Sequence, residues 1–473
     1  SARANYANGL YTIEELYLRR QQQWLDLTGI LDTASSDYRI SLIGSAVPQD
    51  YSSFLPNWWV GIFDDVDFSR TNYNHCDFVI YGNTQQKSFD LYYGHAKANK
   101  FSYKGAAFEE AELTLRGRGS YCELHKLNAR SDQGWIRGDI AFASKRSKVK
   151  GPISIRLDME AQLALTDMAK LFKRDIATIF SEFETTSLPK IQLEAAIFNK
   201  AYPEYTGKSY FDISVDLDQP LTYKEVPLDH LSFNLFGRSE VTHLRDVQIG
   251  YADGQATAMI DIFMPVEAKN SLRYKLTLED ANQNKALRDL PQLDNIEDSL
   301  KSTRPSKTAK LSREDGRIDL NIQGQGPTED PFKHKGFGYF EIRNDKLGTI
   351  QLLGPLSIIL QNTQLSFTSL NLNNMRGDFF YRDDLVTFDP LRIEGERTQV
   401  DMPGTLCLSD QALNMNVKVK LFGNAVKPGS NLRKIGEIIT KPIPNLLQFQ
   451  LTGTLKDQRF RSIYDPRNLI PKL

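Results

Sequence analysis

The stretch Arg273-Tyr274-Lys275-Leu276-Thr277-Leu278-Glu279 places Tyr274, Leu276 and Leu278 at every second position, with charged or polar residues between them. Successive side chains of a strand point to opposite faces, so this segment has one apolar and one polar face. The pattern repeats along the chain. It recurs as Ile153, Ile155, Leu157, then as Ile191, Leu193, Ala195, and as Phe211, Ile213, Val215, Leu217. Further on it appears as Ile318, Leu320, Ile322 and as Leu413, Met415, Val417, Val419, and Phe449 and Leu451 continue it.

Turn signals such as Asp253-Gly254, Asp315-Gly316 and Arg343-Asn344-Asp345 separate these runs, as antiparallel hairpins require. Helical crossovers are too few for a parallel sheet. The expected fold is mainly β: an elongated, curled antiparallel sheet forming an apolar groove, with few short covering helices. Its dry face must be buried against itself, against those helices, or against an apolar guest. The candidates for lining such a groove are Ile153, Ile155, Leu157, Ile191, Leu193, Ile213, Val215, Leu217, Tyr274, Leu276, Leu278, Ile318, Leu320, Ile322, Met415, Val417, Val419, Phe449 and Leu451. A trough of that kind suits acyl chains, since each buried methylene is worth about 0.8 kcal/mol without any specific polar contact.

Three segments read as helix. Thr166 as N-cap through Glu184 carries Met168, Leu171, Phe172, Ile176, Ile179, Phe180 and Phe183 on one face. Ser430–Thr440 is stopped by Lys441-Pro442, and Pro56–Val66 groups Trp58 and Trp59 with Ile62, Phe63 and Val66. All three read as covers for exposed sheet, with Trp58-Trp59 the best alternative as a membrane-touching element. Thr12–Leu31 combines a capping box with strand features and is read as strands. From 286 to 315 a polar, charged stretch with Pro291 and Pro305 reads as a linker or mobile loop. It divides a β-meander region, 1–285, from a C-terminal β module, 316–473.

With 58 basic against 59 acidic residues and a pI near 6.6, bulk charge favours neither nucleic acid nor anionic membrane. Three cysteines, Cys76, Cys122 and Cys407, make no metal-ligand spacing, though a Cys76–Cys122 disulfide is open. The histidines at 75, 95, 125, 230, 243 and 334 form no HExxH or HxH, and the chain has no GxSxG elbow or Walker loop. Gly117-Arg118-Gly119 and Gly324-Gln325-Gly326 read as bulges or tight turns, and Asp64-Asp65 and Asp383-Asp384 as solvated charge. Arg116, Arg118 and Arg130 near Tyr121 are offset by glutamates, which argues against a nucleic-acid patch. No catalytic set, cofactor site or metal site is expected. The longest apolar run, Leu352–Leu360, is too short to span a bilayer.

From about residue 316 the chain resembles the C-terminal region of AsmA-like proteins, a family that includes TamB-like members. The resemblance is carried by Gly336–Asp345, Leu347–Leu356, Met375–Phe379, Val386–Leu391, Gly404–Asp410, Leu413–Val419 and the closing Phe449–Asp457. One departure is Asp457-Gln458-Arg459, where the family pattern would place a proline after the aspartate. The resemblance implies a periplasmic protein tethered by an N-terminal inner-membrane helix not in this chain. It also implies a β-groove that moves phospholipid toward the outer membrane, envelope proteins of both membranes as partners, and no enzyme activity. Two other readings stand beside it: a closed, non-transporting scaffold of the cell envelope that binds proteins, and a β-helical or jelly-roll carbohydrate hydrolase.

Overall fold

The computed structural model describes residues 1–20, 22–45, 47, 49, 63–72, 74–86, 90–119, 121–143, 151–171, 180–265, 268–288, 316–344, 372–395, 398–421, 447–454 and 457–463. The chain is mainly β with few helices. In order, its strands are β1 (Ala2–Ala7), β2 (Leu10–Arg20), β3 (Gln23–Asp32), β4 (Asp37–Gly44), β5 (Val66–Asp67), β6 (Asn74–Asn83), β7 (Leu91–Tyr103), β8 (Ala106–Arg118), β9 (Tyr121–Ser131) and β10 (Gly134–Ala143). There follow β11 (Ile153–Leu163), β12 (Phe183–Thr185), β13 (Lys190–Phe198), β14 (Tyr210–Leu217), β15 (Leu221–Tyr223), β16 (Val226–Leu228), β17 (His230–Arg238), β18 (Val241–Tyr251) and β19 (Gly254–Phe263). The last are β20 (Ser271–Asn282), β21 (Arg317–Pro327), β22 (Lys335–Arg343), β23 (Leu372–Arg382), β24 (Leu385–Gly395), β25 (Thr398–Cys407), β26 (Ala412–Leu421), β27 (Leu447–Thr454) and β28 (Gln458–Ser462).

Two compact units divide the chain: Ser1–Lys224 with Leu231–Thr242, and Glu225–His230 with His243–Leu473. In the first, antiparallel pairing runs β1–β2–β3–β4–β6–β7–β8–β9–β10–β11–β13–β14–β17. In the second it runs from β19 to β28 in strict sequence. Among the described residues β1 pairs with β2 alone, and β28 with β27 alone, so neither edge is closed.

The strands bend at bulges. Between Leu278 and Ala281 the register of β20 on β21 slips, with Asp280 at φ 54° and its N–H donating to Asp319 Oδ1 at 2.7 Å. In β9 the same device places Lys126 at φ 54°, its N–H bonded to Asp139 Oδ1 at 2.7 Å. A carboxylate on the next strand satisfies the donor that the bulge releases, and the bulge adds twist and curl. Because each bulge resets the alternation, Leu278 and Ala281 are both buried although three residues apart.

Thr12–Leu31 falls in β2 and β3, as strands. The helix expected over 166–184 starts one residue earlier, with Thr166 inside it: Leu165–Leu171 is helical, residues 180 and 181 are also helical, and residues 172–179 are outside the described set. Phe183 instead opens β12, paired with Tyr223 of β15, ring centroids 4.7 Å apart. Of the expected stripe, Met168, Leu171 and Phe180 are helical, and Phe183 departs because it packs across a strand pair. Val66, expected at a helix end, lies in β5 against Tyr103, while Trp58-Trp59 and the segment Ser430–Thr440 lie outside the described residues. A short helix not foreseen, Gln283–Arg288, starts where Asn282 Oδ1 accepts the Lys285 N–H at 3.0 Å. Residues 289–315, most of the expected linker, are also outside the described set, and β20 and β21 on either side pair directly. The turn at 252–253 is a two-residue hairpin loop with Ala252 and Asp253 both at positive φ. Asp315 and Asp345 of the other two expected turns are outside the described set.

Candidate functional site

Directly opposed residues of neighbouring strands point to the same face. Followed from strand to strand in the first unit, one line of partners reads Leu16, Leu27, Leu42, Phe78, Gly94, Leu115, Leu124, Ile140, Leu157, Ala195, Phe211, Gly237. No polar side chain interrupts it across twelve strands. In the second unit the line Ala258, Leu276, Ile322, Gly338, Phe379, Phe388, Gly404, Met415, Leu451 crosses nine. At about 4.8 Å per strand these tracks run roughly 50 and 40 Å along the sheet surface. The opposite face is polar, as in Glu112, Asn128, Arg137, Glu160 and Gln192 on successive strands.

Parallel lines flank each track and hold the other candidates. In the first unit Leu193 and Ile213 lie between Met159 and Leu235, Ile191 and Val215 between Ala161 and Phe233, Leu217 opposite Leu231, and Ile155 opposite Phe142. Ile153 lies opposite Phe198 at the end of β11. In the second, Leu278 and Leu320 join Ala256 to Phe340, Ile318 joins Ala281 to Ile342, and Tyr274 faces Ile260 and Gly324.

The degree of covering differs along the face. Leu157, Leu193, Ile213, Val215, Tyr274, Leu276, Ile318, Leu320 and Ile322 keep part of their surface accessible. Met415, Val417, Val419, Phe449 and Leu451 do not: with Leu372, Ile393, Val400, Met402 and Leu413 they form a packed cluster in which every member is 7% exposed or less. That end of the face is a filled core. Sequence reasoning separated neither these two regimes nor the contribution of β2 to β10, where Leu16, Leu27, Leu42, Phe78, Leu115, Leu124 and Ile140 lie on the track.

Three glycines of the tracks, Gly94, Gly237 and Gly338, have a common role. A Cβ on Gly94 would overlap the Phe78 ring, one on Gly237 the Phe211 ring, and one on Gly338 the Phe379 ring. Each aromatic is the cross-strand partner of its glycine. Tyr92 lies the same way over Gly117, and Tyr381 over Gly324 and Gly336. Gly117 and Gly324 are thus strand positions under an aromatic ring, where bulges or turns were expected, whereas Gly119, at φ 55°, is a turn residue. Laid flat over a glycine, a large ring adds apolar area without standing far from the backbone, which keeps the floor of the face low.

Several polar groups on or near this face are hydrogen-bonded. Tyr92 Oη donates to the Tyr121 carbonyl at 2.7 Å, and Tyr274 and Tyr381 hydroxyls meet at 2.8 Å with His334 Nδ1 3.3 Å from Tyr274 Oη. Burial pushes the Tyr381 phenol well above its ordinary range, with Tyr274 adding to the effect. Cys122 is fully buried and burial pushes its thiol up to about 12; no disulfide joins it to Cys76. The histidines that bond carboxylates do so singly, His95 to Glu112, His125 to Asp139 and His243 to Asp261. Among the described residues no three His, Cys, Asp or Glu side chains gather as a metal site. Asp383 and Asp384 form the two-residue turn between β23 and β24, both at positive φ, with Asp384 accepting the Ser409 N–H at 2.9 Å. Among the described residues no helix is long and apolar enough to cross a membrane. No protein-family model matches the chain, and no curated protein matches it.

Proposed function

We propose that this protein binds the acyl chains of lipids on its apolar sheet face and passes them along it, as a conduit in the cell envelope. The supporting observation is the pair of uninterrupted apolar lines at right angles to the strands, partly open to solvent over β11 to β14 and β20 to β21. A track of roughly 50 Å exceeds the ~15 Å of one acyl layer, half a ~30 Å bilayer core, several-fold. A single-ligand pocket needs no such length. The AsmA-like resemblance of the C-terminal third points the same way and suggests a periplasmic bridge carrying phospholipid between inner and outer membranes, with envelope proteins at its ends.

A second reading, the non-transporting scaffold, is favoured at one place by the packed cluster around Val400 and Val417. The two readings separate at two residues. Leu276→Asp sits on a half-open stretch, so it should leave the fold intact and reduce uptake of a fluorescent fatty acid at least several-fold. Val417→Asp should cost ~3 kcal/mol or more by burying a charge in a filled core. Wild-type protein that takes up no fatty acid, and purifies free of lipid, would leave only the scaffold.

A further inference from the structure

The polar face of the second unit is not uniformly polar. Between β19 and β24 it holds an open recess of about 850 Å³ floored by backbone at Gly324 and Gly336. Phe337 and Phe380, cross-strand partners, stand there 51% and 60% exposed. Around them are Arg273, Lys275, Lys335 and Arg382. Among the described residues none of these four cations has a carboxylate within ion-pair distance, and the one acidic residue of the lining, Asp261, is already bonded by Arg245 and His243.

Two neighbouring phenyl rings in water are costly to leave exposed, and four unneutralised cations beside them repel one another. Both costs fall together against a surface that is anionic at its edge and apolar just beneath. We propose that this recess is a docking site for an anionic phospholipid bilayer, with the four cations on headgroup phosphates and the phenyls at the acyl boundary. The chain's near-zero net charge conceals the patch, because the acidic residues that balance it lie elsewhere. The site lies on the face opposite the apolar track and does not depend on the track carrying lipid.

The test is co-sedimentation of the full chain with vesicles of phosphatidylcholine alone and of phosphatidylcholine mixed with phosphatidylglycerol. Binding is expected to the mixed vesicles only, and to weaken as salt rises. The double variant Arg273→Glu/Lys335→Glu should bind the mixed vesicles at least tenfold more weakly, and Phe337→Ser/Phe380→Ser several-fold more weakly. All four residues are exposed or lack ion-pair partners, so the far-ultraviolet circular dichroism of both variants should match wild type. Equal binding to neutral and anionic vesicles overturns the proposal. So does anionic binding that both double variants retain, or no vesicle binding at all, the outcome if the patch serves an acidic protein. Fatty-acid uptake measured on the same variants should not change, which separates failure of the docking site from failure of the conduit.

Discussion

At the scale of the residue, Asp401 is one of two aspartates that are buried among the described residues. Its carboxylate accepts from Arg392 Nε at 2.8 Å, Lys420 Nζ at 2.7 Å and Gln399 Nε2 at 2.8 Å, directly behind the packed cluster of Val400 and Met402. Burial alone would raise its pKa, but the bonds from Lys420, Gln399 and Arg392 outweigh it and hold the group down to about 2. A carboxylate depressed in the folded state contributes stability that is complete above its unfolded value, near 4, and is lost as pH falls through about 2. The shift corresponds to about 2 kcal/mol. Urea unfolding of wild type and Asp401→Asn between pH 6 and pH 2 should therefore start apart by roughly that amount and converge at the acid end; parallel curves would assign the acid sensitivity elsewhere.

At the scale of the element, the pairing of a glycine with an aromatic on the adjacent strand sets the height of the apolar floor. Gly94→Val would drive the Phe78 ring off β7 and into the cluster of Tyr92, Leu115 and Cys122. We expect a loss of about 1–3 kcal/mol, within the range for overpacking a filled site. Gly94→Val with Phe78→Ala should recover part of it, and an additive double variant would mean the ring and the glycine are not coupled. This device was the least legible part of the sequence. Alternation identified β13, β14, β20 and β26 because no glycine interrupts their apolar runs and, in β20, the slip comes only after Leu278. In β2, read as strand on other features, the register slips between Ile13 and Leu16, and in β8, which alternation missed, it slips between Glu112 and Thr114. There the apolar residues are no longer at even spacing, and glycine reads as punctuation although it is half of a packing pair. The over-reading of the helix's end at Phe183 has the converse origin, since spacing alone does not say whether Phe183 packs along a helix or across a strand pair.

At the scale of the whole molecule, antiparallel order and the apolar face were readable from the sequence, because both follow from period-two patterning. Which parts of that face are filled and which stay open was not, since covering depends on packing among residues far apart in sequence, as in the cluster that holds both Leu372 and Leu451. Each unit has its own track, longer than one acyl chain, so native mass spectrometry of gently purified protein should find more than one phospholipid per chain. A strict ratio of one would confine binding to a single pocket and count against the conduit. The register described for β14 carries a further consequence. Phe211, Ile213, Val215 and Leu217 face inward while Asp212 and Asp216 face out, and only hydrogen-bond phase distinguishes the two sets. Shifting that one strand by a single residue would turn its aspartates into the path, like a closed valve in a pipe, without altering any other part of the wall.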